Sequence, residues 1–257
     1  MSAVTRLPVN VTDASLPVIN AADIKEFASL YELNAVDHWQ LGSGNPSFVG
    51  AKAGTLLTRL GTVTNNPNYT RIRVLDTARN ALISGIADMK NQTQVMIFRV
   101  GTYPVAGSTN VAIVGGSVDN VATPPRHGSG IYLDGPTGKI SCVIREQTGR
   151  NVFDYSGLAG KWIFVALTES EVSAVSYSSL YLGSGDGLAQ SSISGTTLKT
   201  IGNYLSIGQA YYSAGGTAVD IDFAEFIAFD KMLSVGELLG VYRRAKSRLA
   251  AKGIVLQ

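Results

Sequence analysis

The sequence is poor in the residues that mark several common protein classes. It contains one cysteine, Cys142, so it cannot build an intrachain disulfide framework. Charged residues make up 16% of the 257 residues, against about 25% in an average protein, and the net charge is only +2. So small a net charge produces only a weak electrostatic field, which disfavours nucleic-acid binding. No run of 18 apolar residues occurs, so we expect no membrane insertion.

Motifs for catalysis, metal binding and export are also missing. The two histidines, His38 and His127, show no H-E-x-x-H or other metal spacing. No G-x-S-x-G nucleophile elbow is present, and the N-terminus lacks the basic and apolar segments of a signal peptide. The sequence therefore predicts no catalytic residues, no metal, no cofactor and no signal peptide.

Glycine and short apolar segments are what the sequence does have. Its 28 glycines separate apolar runs of strand length, which indicates an all-β chain rich in turns. A length of 257 residues suits one large β-sandwich. Strands are predicted at 70–76, 93–100, 110–116, 130–135, 138–144, 160–167, 178–182, 204–209 and 221–229.

The two ends of the chain carry different signals. Residues 1–19 contain two Leu-Pro-Val tripeptides, which favour an extended arm, and residues 20–31 show the spacing of one short helix. Near the other end, Ser234 and Glu237 form an S-x-x-E capping box before apolar residues at helical spacing. We therefore predict an arm at 1–19 and one domain at 20–257 that ends in a helix at about 234–252.

The order of these segments resembles the laminin-G-like, concanavalin-A-like jelly-roll domains. Gly-Lys-Trp opens a strand at Gly160, a Leu-Ser-Ile-Gly strand ends at Gly208, and a strand with an internal Glu225 precedes Leu-Ser and the capped helix. The ending from Leu233 to Ile254 is similar to that of laminin-G-like proteins encoded by bacteriophages. The resemblance implies an all-β concanavalin-A-like sandwich with a short N-terminal and a C-terminal helix.

The same resemblance implies a function. It points to a non-enzymatic virion surface protein, of the tail-fibre or receptor-binding type, that adheres to bacterial cell-surface polysaccharide. Further implied partners are other virion proteins and further copies of the chain, with a trimer favoured over a dimer. One alternative is a purely structural protein for virion assembly or decoration, which would bind only other virion proteins.

Carbohydrate binding needs exposed aromatic faces and a few convergent polar groups. The candidates are Tyr155, Tyr211 and Tyr212, together with His127 in a loop. Tyrosines in such loops are more often packed residues than ligand contacts. Calcium at the rim of the sandwich stays open, since the available aspartates match no ligand spacing: Asp119, Asp134 and Asp186.

A second alternative is a polysaccharide hydrolase that uses Asp220, Asp222 and Glu225. This spacing is similar to the E-x-D-x-x-E strand motif of concanavalin-A-like β-glucanases. Strict alternation from Ile221 to Phe229 would turn Glu225 into the core, where it would need dedicated hydrogen-bond donors. A hydrolase would instead need a bulge that puts Asp222 and Glu225 on one solvent-open face.

Overall fold

The structure is a computed structural model that describes residues 31–43, 48–74, 78–126, 128–144, 152–196, 201–212 and 216–257. The predicted arm at 1–19 lies outside the described residues, as does the predicted helix at 20–31 apart from Tyr31. His127 also lies outside them. The arm, the short helix and the role of His127 therefore stay predictions.

Most of the described chain is β-strand, as predicted. The strands are β1 (Asp37–Gln40), β2 (Thr58–Leu60), β3 (Val63–Asn66), β4 (Tyr69–Val74), β5 (Ala81–Ala87), β6 (Gln92–Val100), β7 (Val111–Gly116), β8 (Ser129–Asp134), β9 (Lys139–Ile144), β10 (Val152–Asp154), β11 (Trp162–Val172), β12 (Val175–Ser184), β13 (Gly187–Gly195), β14 (Tyr204–Gly208) and β15 (Val219–Phe229). They are followed by helix α1 (Val235–Ala250).

The strands form two antiparallel sheets. The larger sheet, sheet A, has the order β13-β12-β11-β6-β15-β4-β3, and β1 also pairs with β15. The smaller sheet, sheet B, has the order β10-β9-β8-β7-β14-β5-β2. Alternate residues of both sheets meet in one apolar core, to which Phe98 and Phe223 of sheet A and Ile131 and Ile207 of sheet B belong. The predicted all-β sandwich is confirmed.

Helix α1 covers part of the outer face of sheet A. Ser234 caps its N-terminus: the Glu237 N–H donates to Ser234 Oγ, and the Ser234 N–H donates to Glu237 Oε2. Leu238, Tyr242 and Leu249 are buried against the outward residues of β6, β11 and β15 in a second apolar cluster. The predicted capped helix is thus confirmed, and its apolar stripe fixes the face that packs. Across the described residues, no helix combines the length and apolarity needed to cross a membrane.

Strand β15 contains a bulge at Ala224. Phe223 pairs with Phe98 on β6, but Glu225 pairs with the next residue, Ile97, so Ala224 is extra. Before the bulge, Phe223 faces the core between the sheets, whereas after it Glu225 faces α1. The expectation of strict alternation was therefore wrong, because one inserted residue reverses which positions face the core.

Candidate functional site

A pocket of about 560 Å³ opens where β6 ends and where β11 and β15 begin. Its size lies within the roughly 300–1,000 Å³ of typical small-molecule sites. The walls come from residues 101–105 and 217–220, with Asn110 and Gly160. The floor is made of charged side chains on the outer face of sheet A: Arg71, Arg99 and Asp222.

The floor residues form one row across three neighbouring strands. Asp222 of β15 is the register partner of Arg71 on β4 and of Arg99 on β6, so all three side chains leave the sheet on the same side. Arg71 Nε donates to Asp222 Oδ1 at 2.6 Å, and Arg99 Nη2 donates to Asp222 Oδ2 at 2.7 Å. The carboxylate thereby holds both guanidinium groups in fixed positions.

Aromatic rings hold Arg99 from the other side. Its guanidinium carbon lies 4.8 Å from the centroid of Trp162 and 5.3 Å from that of Tyr69. These two rings meet edge to face, with centroids 5.7 Å apart. Stacking on an aromatic face leaves the edge of a guanidinium group available for hydrogen bonds, so the packing orients Arg99 without consuming its donors.

The two arginines keep donors available to the pocket. The side chain of Arg71 is 43% exposed and that of Arg99 is 30% exposed, while that of Asp222 is only 6% exposed. The hydrogen bond to Asp222 raises the pKa of Arg71 above its usual value. Since each guanidinium carries five N–H groups and gives only some of them to Asp222, the pocket can offer donors to oxygen atoms of a ligand.

Tyr103 forms the aromatic part of the wall. Its ring stacks on Tyr155 with centroids 4.6 Å apart, and the Tyr155 hydroxyl donates to Pro104 O at 2.7 Å. The Tyr103 hydroxyl is buried and has no hydrogen-bond partner among the described residues, and burial raises its pKa. Tyr155 is itself only 7% exposed. Tyr155 thus lies behind Tyr103 and supports the pocket wall.

The two loop tyrosines predicted to contact ligand lie elsewhere. Tyr212 is half-buried and lines a depression of about 100 Å³ with the apolar side chains of Val111, Ile113 and Val143. Tyr211 is also half-buried, and burial together with Asp119 raises its pKa to about 12. Neither lines the larger pocket. Ligand contact by Tyr155, Tyr211 and Tyr212 stays a prediction, but the structure does not gather the three rings at one site.

The acids of the hydrolase alternative are divided between two environments. The bulge at Ala224 places Asp222 and Glu225 on the same face of sheet A, but α1 covers that face at Glu225, which is fully buried. Arg248 donates to it through Nε at 3.1 Å and Nη2 at 2.9 Å, and His38 Nε2 lies 3.3 Å from its Oε2. The expectation of dedicated donors for Glu225 is confirmed.

The charge of Glu225 is fixed by these partners. Burial raises the pKa of Glu225, but His38 and Arg248 lower it by more and leave it at about 2. A carboxyl group that stays ionised and has no access to solvent cannot protonate a glycosidic oxygen. The geometry therefore does not support Glu225 as a catalytic acid.

Glu225 belongs to a largely buried cluster that joins four segments of the chain. Glu32 accepts from Arg248 Nη1 and from Arg244 Nη2, both at 2.6 Å, and its N–H donates to His38 Nδ1. The residues come from the start of the described chain, from β1, from β15 and from α1. We call Glu32, His38, Glu225, Arg244 and Arg248 the Glu225 cluster; its role is to tie β1 and α1 to sheet A.

The predicted rim aspartates serve local hydrogen bonds. Asp119 Oδ1 accepts the N–H groups of Val121 and Ala122, and Asp134 Oδ2 accepts from the Thr137 hydroxyl. Asp186 lies 3.0 Å from Lys246 Nζ. Over the ranges that the structure describes, no group of three or more His, Cys, Asp or Glu residues is arranged to hold a metal ion.

Sequence reasoning did not identify Arg71, Arg99 and Tyr103. A signal for the first two was present, since Arg71 alternates with apolar residues on one strand and Arg99 interrupts an otherwise apolar strand. Neither pattern shows that the two side chains meet on Asp222, because the three residues are far apart in the chain. Tyr103 carried no signal beyond its place next to Pro104 in a loop.

Comparison with known proteins finds likeness in structure alone. No family model matches the sequence, and no curated protein matches it. The receptor-binding domain of botulinum neurotoxin type G superposes with a TM-score of 0.59 at 14% identity, over 83% of this chain and 52% of that one. The type D binding domain superposes with a TM-score of 0.57 at 16% identity, over 82% of this chain and 51% of that one.

Another solved structure is the type D ligand-binding domain in complex with N-acetylneuraminic acid, with a TM-score of 0.58 at 15% identity. This chain covers 50% of it, so the chain spans about half the length of these neighbours. At such low identity the likeness concerns the fold alone. The chain therefore shares the β-sandwich fold found in these toxin binding domains.

Proposed function

We propose that this chain is a non-enzymatic adhesion module that binds a surface polysaccharide in the pocket above Arg71, Asp222 and Arg99. The observation that carries the proposal is the row of two partly exposed guanidinium groups held apart by one carboxylate, beside the wall residue Tyr103. A sugar offers many hydroxyl oxygens, and an acidic sugar adds a carboxylate that a guanidinium group can bind with two hydrogen bonds. We therefore expect polysaccharides with carboxylate groups to bind best.

The fold of the solved neighbours supports a binding role. They are receptor-binding domains, and two of them are described with a sialic acid or with gangliosides. Those ligands are bound by proteins of which this chain covers only about half. The likeness supports the class of function, while the choice of pocket rests on the geometry of this chain alone.

The biological setting in the proposal is a bacteriophage virion, in which the chain would be part of a tail fibre or another surface component and would contact other virion proteins. This part rests on the resemblance of the segment from Leu233 to Ile254 to laminin-G-like phage proteins. A purely structural role in the virion is the alternative. It predicts binding to purified virion components and none to polysaccharide.

The test is a glycan array that includes neutral and acidic bacterial polysaccharides, followed by Arg71→Ala. We expect carboxylate-bearing glycans to bind, and the variant to lose on the order of tenfold in affinity because one charged hydrogen-bonding group is gone. The matched control is Arg73→Ala, since Arg73 is an exposed arginine on the same strand that does not line the pocket.

The same samples also test the enzyme alternative. The wild-type protein should release no reducing ends from any glycan that it binds. Release of reducing ends that stops in Glu225→Gln would replace the adhesion proposal with the hydrolase. Equal loss of affinity in Arg71→Ala and Arg73→Ala would show that binding does not use the pocket.

A further inference from the structure

Among the residues that the structure describes, strand β13 forms one long open edge of sheet A. It pairs with β12 over nine successive register positions, from Ser184↔Gly187 to Ser176↔Gly195, without a bulge. No other strand pairs with its far side in the described part of the chain. Most of its side chains are exposed or half-exposed.

The other sheet ends are much shorter. Strand β3, at the opposite end of sheet A, has four residues, and the end strands of sheet B, β2 and β10, have three each. Proteins usually protect a long edge with charge, proline or a bulge, because an open edge pairs readily with another strand. The sequence of β13, GLAQSSISG, contains no charged residue and no proline. The edge therefore lacks each of these protections.

The turn that precedes β13 determines which backbone groups point outward. Gly185 and Asp186 form a two-residue turn, with Gly185 at a φ of 58°, and Ser184 and Gly187 are the flanking pair. In such a hairpin the flanking residues are hydrogen-bonded to each other and bonded pairs alternate along the strands. The remaining residues direct their N–H and C=O groups away from β12: Leu188, Gln190, Ser192 and Ser194.

We propose that β13 pairs with β13 of a second copy of this chain, antiparallel across a two-fold axis at Ser191. In this register Gln190 lies opposite Ser192 of the second copy, and Leu188 lies opposite Ser194. All four outward residues then meet an outward residue, so every exposed backbone donor and acceptor of the edge is used. Because the strand has no charge, self-pairing places no like charges opposite each other.

The two-fold symmetry of this register and the lack of charge on β13 together favour a second copy of the chain as its partner. A two-fold contact is self-complementary, and an uncharged strand with matching outward positions satisfies that condition. Sheet A of one copy and sheet A of the other would then join into one continuous sheet. The arrangement predicts a dimer, in contrast to the trimer that the phage resemblance favours, because a three-fold axis cannot pair a strand with itself.

The first test is sedimentation equilibrium over a wide range of protein concentration. We expect a concentration-dependent species of twice the 27.1 kDa chain mass. Ser192→Lys should raise the dissociation constant of the dimer by roughly tenfold or more, since lysine on an edge strand opposes pairing and two lysines would lie near the axis. Ser192→Ala removes the same hydroxyl without adding charge and should leave the dimer intact.

A cross-link tests the register. Ser191→Cys places two thiols opposite each other in a pair without backbone hydrogen bonds, where antiparallel strands approach most closely. Mild oxidation should give a covalent dimer, while Ser194→Cys on the same strand should not. The native Cys142 is buried and does not compete.

Several results would overturn the proposal. They are a monomer at every concentration, a trimer, a dimer that Ser192→Lys leaves unchanged, or equal cross-linking of Ser191→Cys and Ser194→Cys. Thr64→Lys serves as a further control, because Thr64 lies on the short edge strand β3 at the other end of the same sheet. This substitution should leave the dimer seen by sedimentation equilibrium unchanged.

Discussion

Glu225 carries a negative charge in the interior between sheet A and helix α1. The free-energy cost of burying this charge is offset by Arg248, which donates two hydrogen bonds, and by the nearby His38. Removing one partner of a buried ion pair typically costs about 3–5 kcal/mol, because the other charge stays buried. We therefore expect Glu225→Gln to lower the free energy of unfolding at neutral pH by about 3 kcal/mol, measured by urea denaturation.

The pH dependence gives this prediction a second readout. The folded state lowers the pKa of Glu225 from 4.5 to about 2. The contribution of the Glu225 charge to stability is therefore present above pH 4.5 and is lost as the pH falls towards 2. The difference in stability between wild type and Glu225→Gln should therefore narrow over that window. Asp186→Asn is the control, since Asp186 forms an exposed pair with Lys246. A constant difference down to pH 2 would contradict the assignment.

At the scale of elements, Asp37 links β1 to the loop that follows. Its carboxylate accepts the backbone N–H groups of His38, Lys52, Ala53 and Thr55. Burial raises the pKa of Asp37, but these hydrogen bonds lower it by more, so its pKa lies below its usual value. Gly50 belongs to the same arrangement, because a Cβ there would lie 1.9 Å from the Asp37 carboxylate.

Replacing Asp37 should loosen that loop as a unit. In Asp37→Ala four buried or partly buried N–H groups lose their acceptor, and each unpaired buried group costs about 1–3 kcal/mol unless water reaches it. We expect faster amide hydrogen exchange at Lys52, Ala53 and Thr55 and a loss of at least about 2 kcal/mol in stability. Exchange at β8, on the other sheet, should change only as far as global stability does. Unchanged amide exchange at Lys52, Ala53 and Thr55 would contradict this account.

At the scale of the whole molecule, the first described residues are part of the folded body. Glu32 binds Arg244 and Arg248 of α1, and β1 pairs with β15. We therefore expect a chain that lacks 1–19 to fold with a melting temperature close to that of the full chain. A chain that lacks 1–40 should fail to fold, because Arg248 then loses Glu32, Glu225 loses His38, and one side of β15 is uncovered. Thermal unfolding followed by circular dichroism separates the two outcomes.

Much of the fold was predictable from local pattern. Alternation and turn residues located β6, β8, β9, β11 and β15, and the capping box at Ser234 located α1 to within a few residues. These signals are readable because a strand or helix that packs on one side repeats its apolar residues at its own period. Strand β13 was missed for the same reason: at an edge, GLAQSSISG packs against little and shows no clear alternation.

The sequence by itself determined the class of fold and the capped helix; it also predicted dedicated donors for Glu225, but from an alternation that the bulge in β15 breaks. Only the tertiary structure decided which donors those are, since Arg248 and His38 come from opposite ends of the described chain. It also decided that Asp222 and Glu225 share a face, because a bulge depends on register with a neighbouring strand. The pocket is likewise tertiary: Arg71, Arg99 and Asp222 meet because β4, β6 and β15 are neighbours in sheet A, although they are distant in sequence.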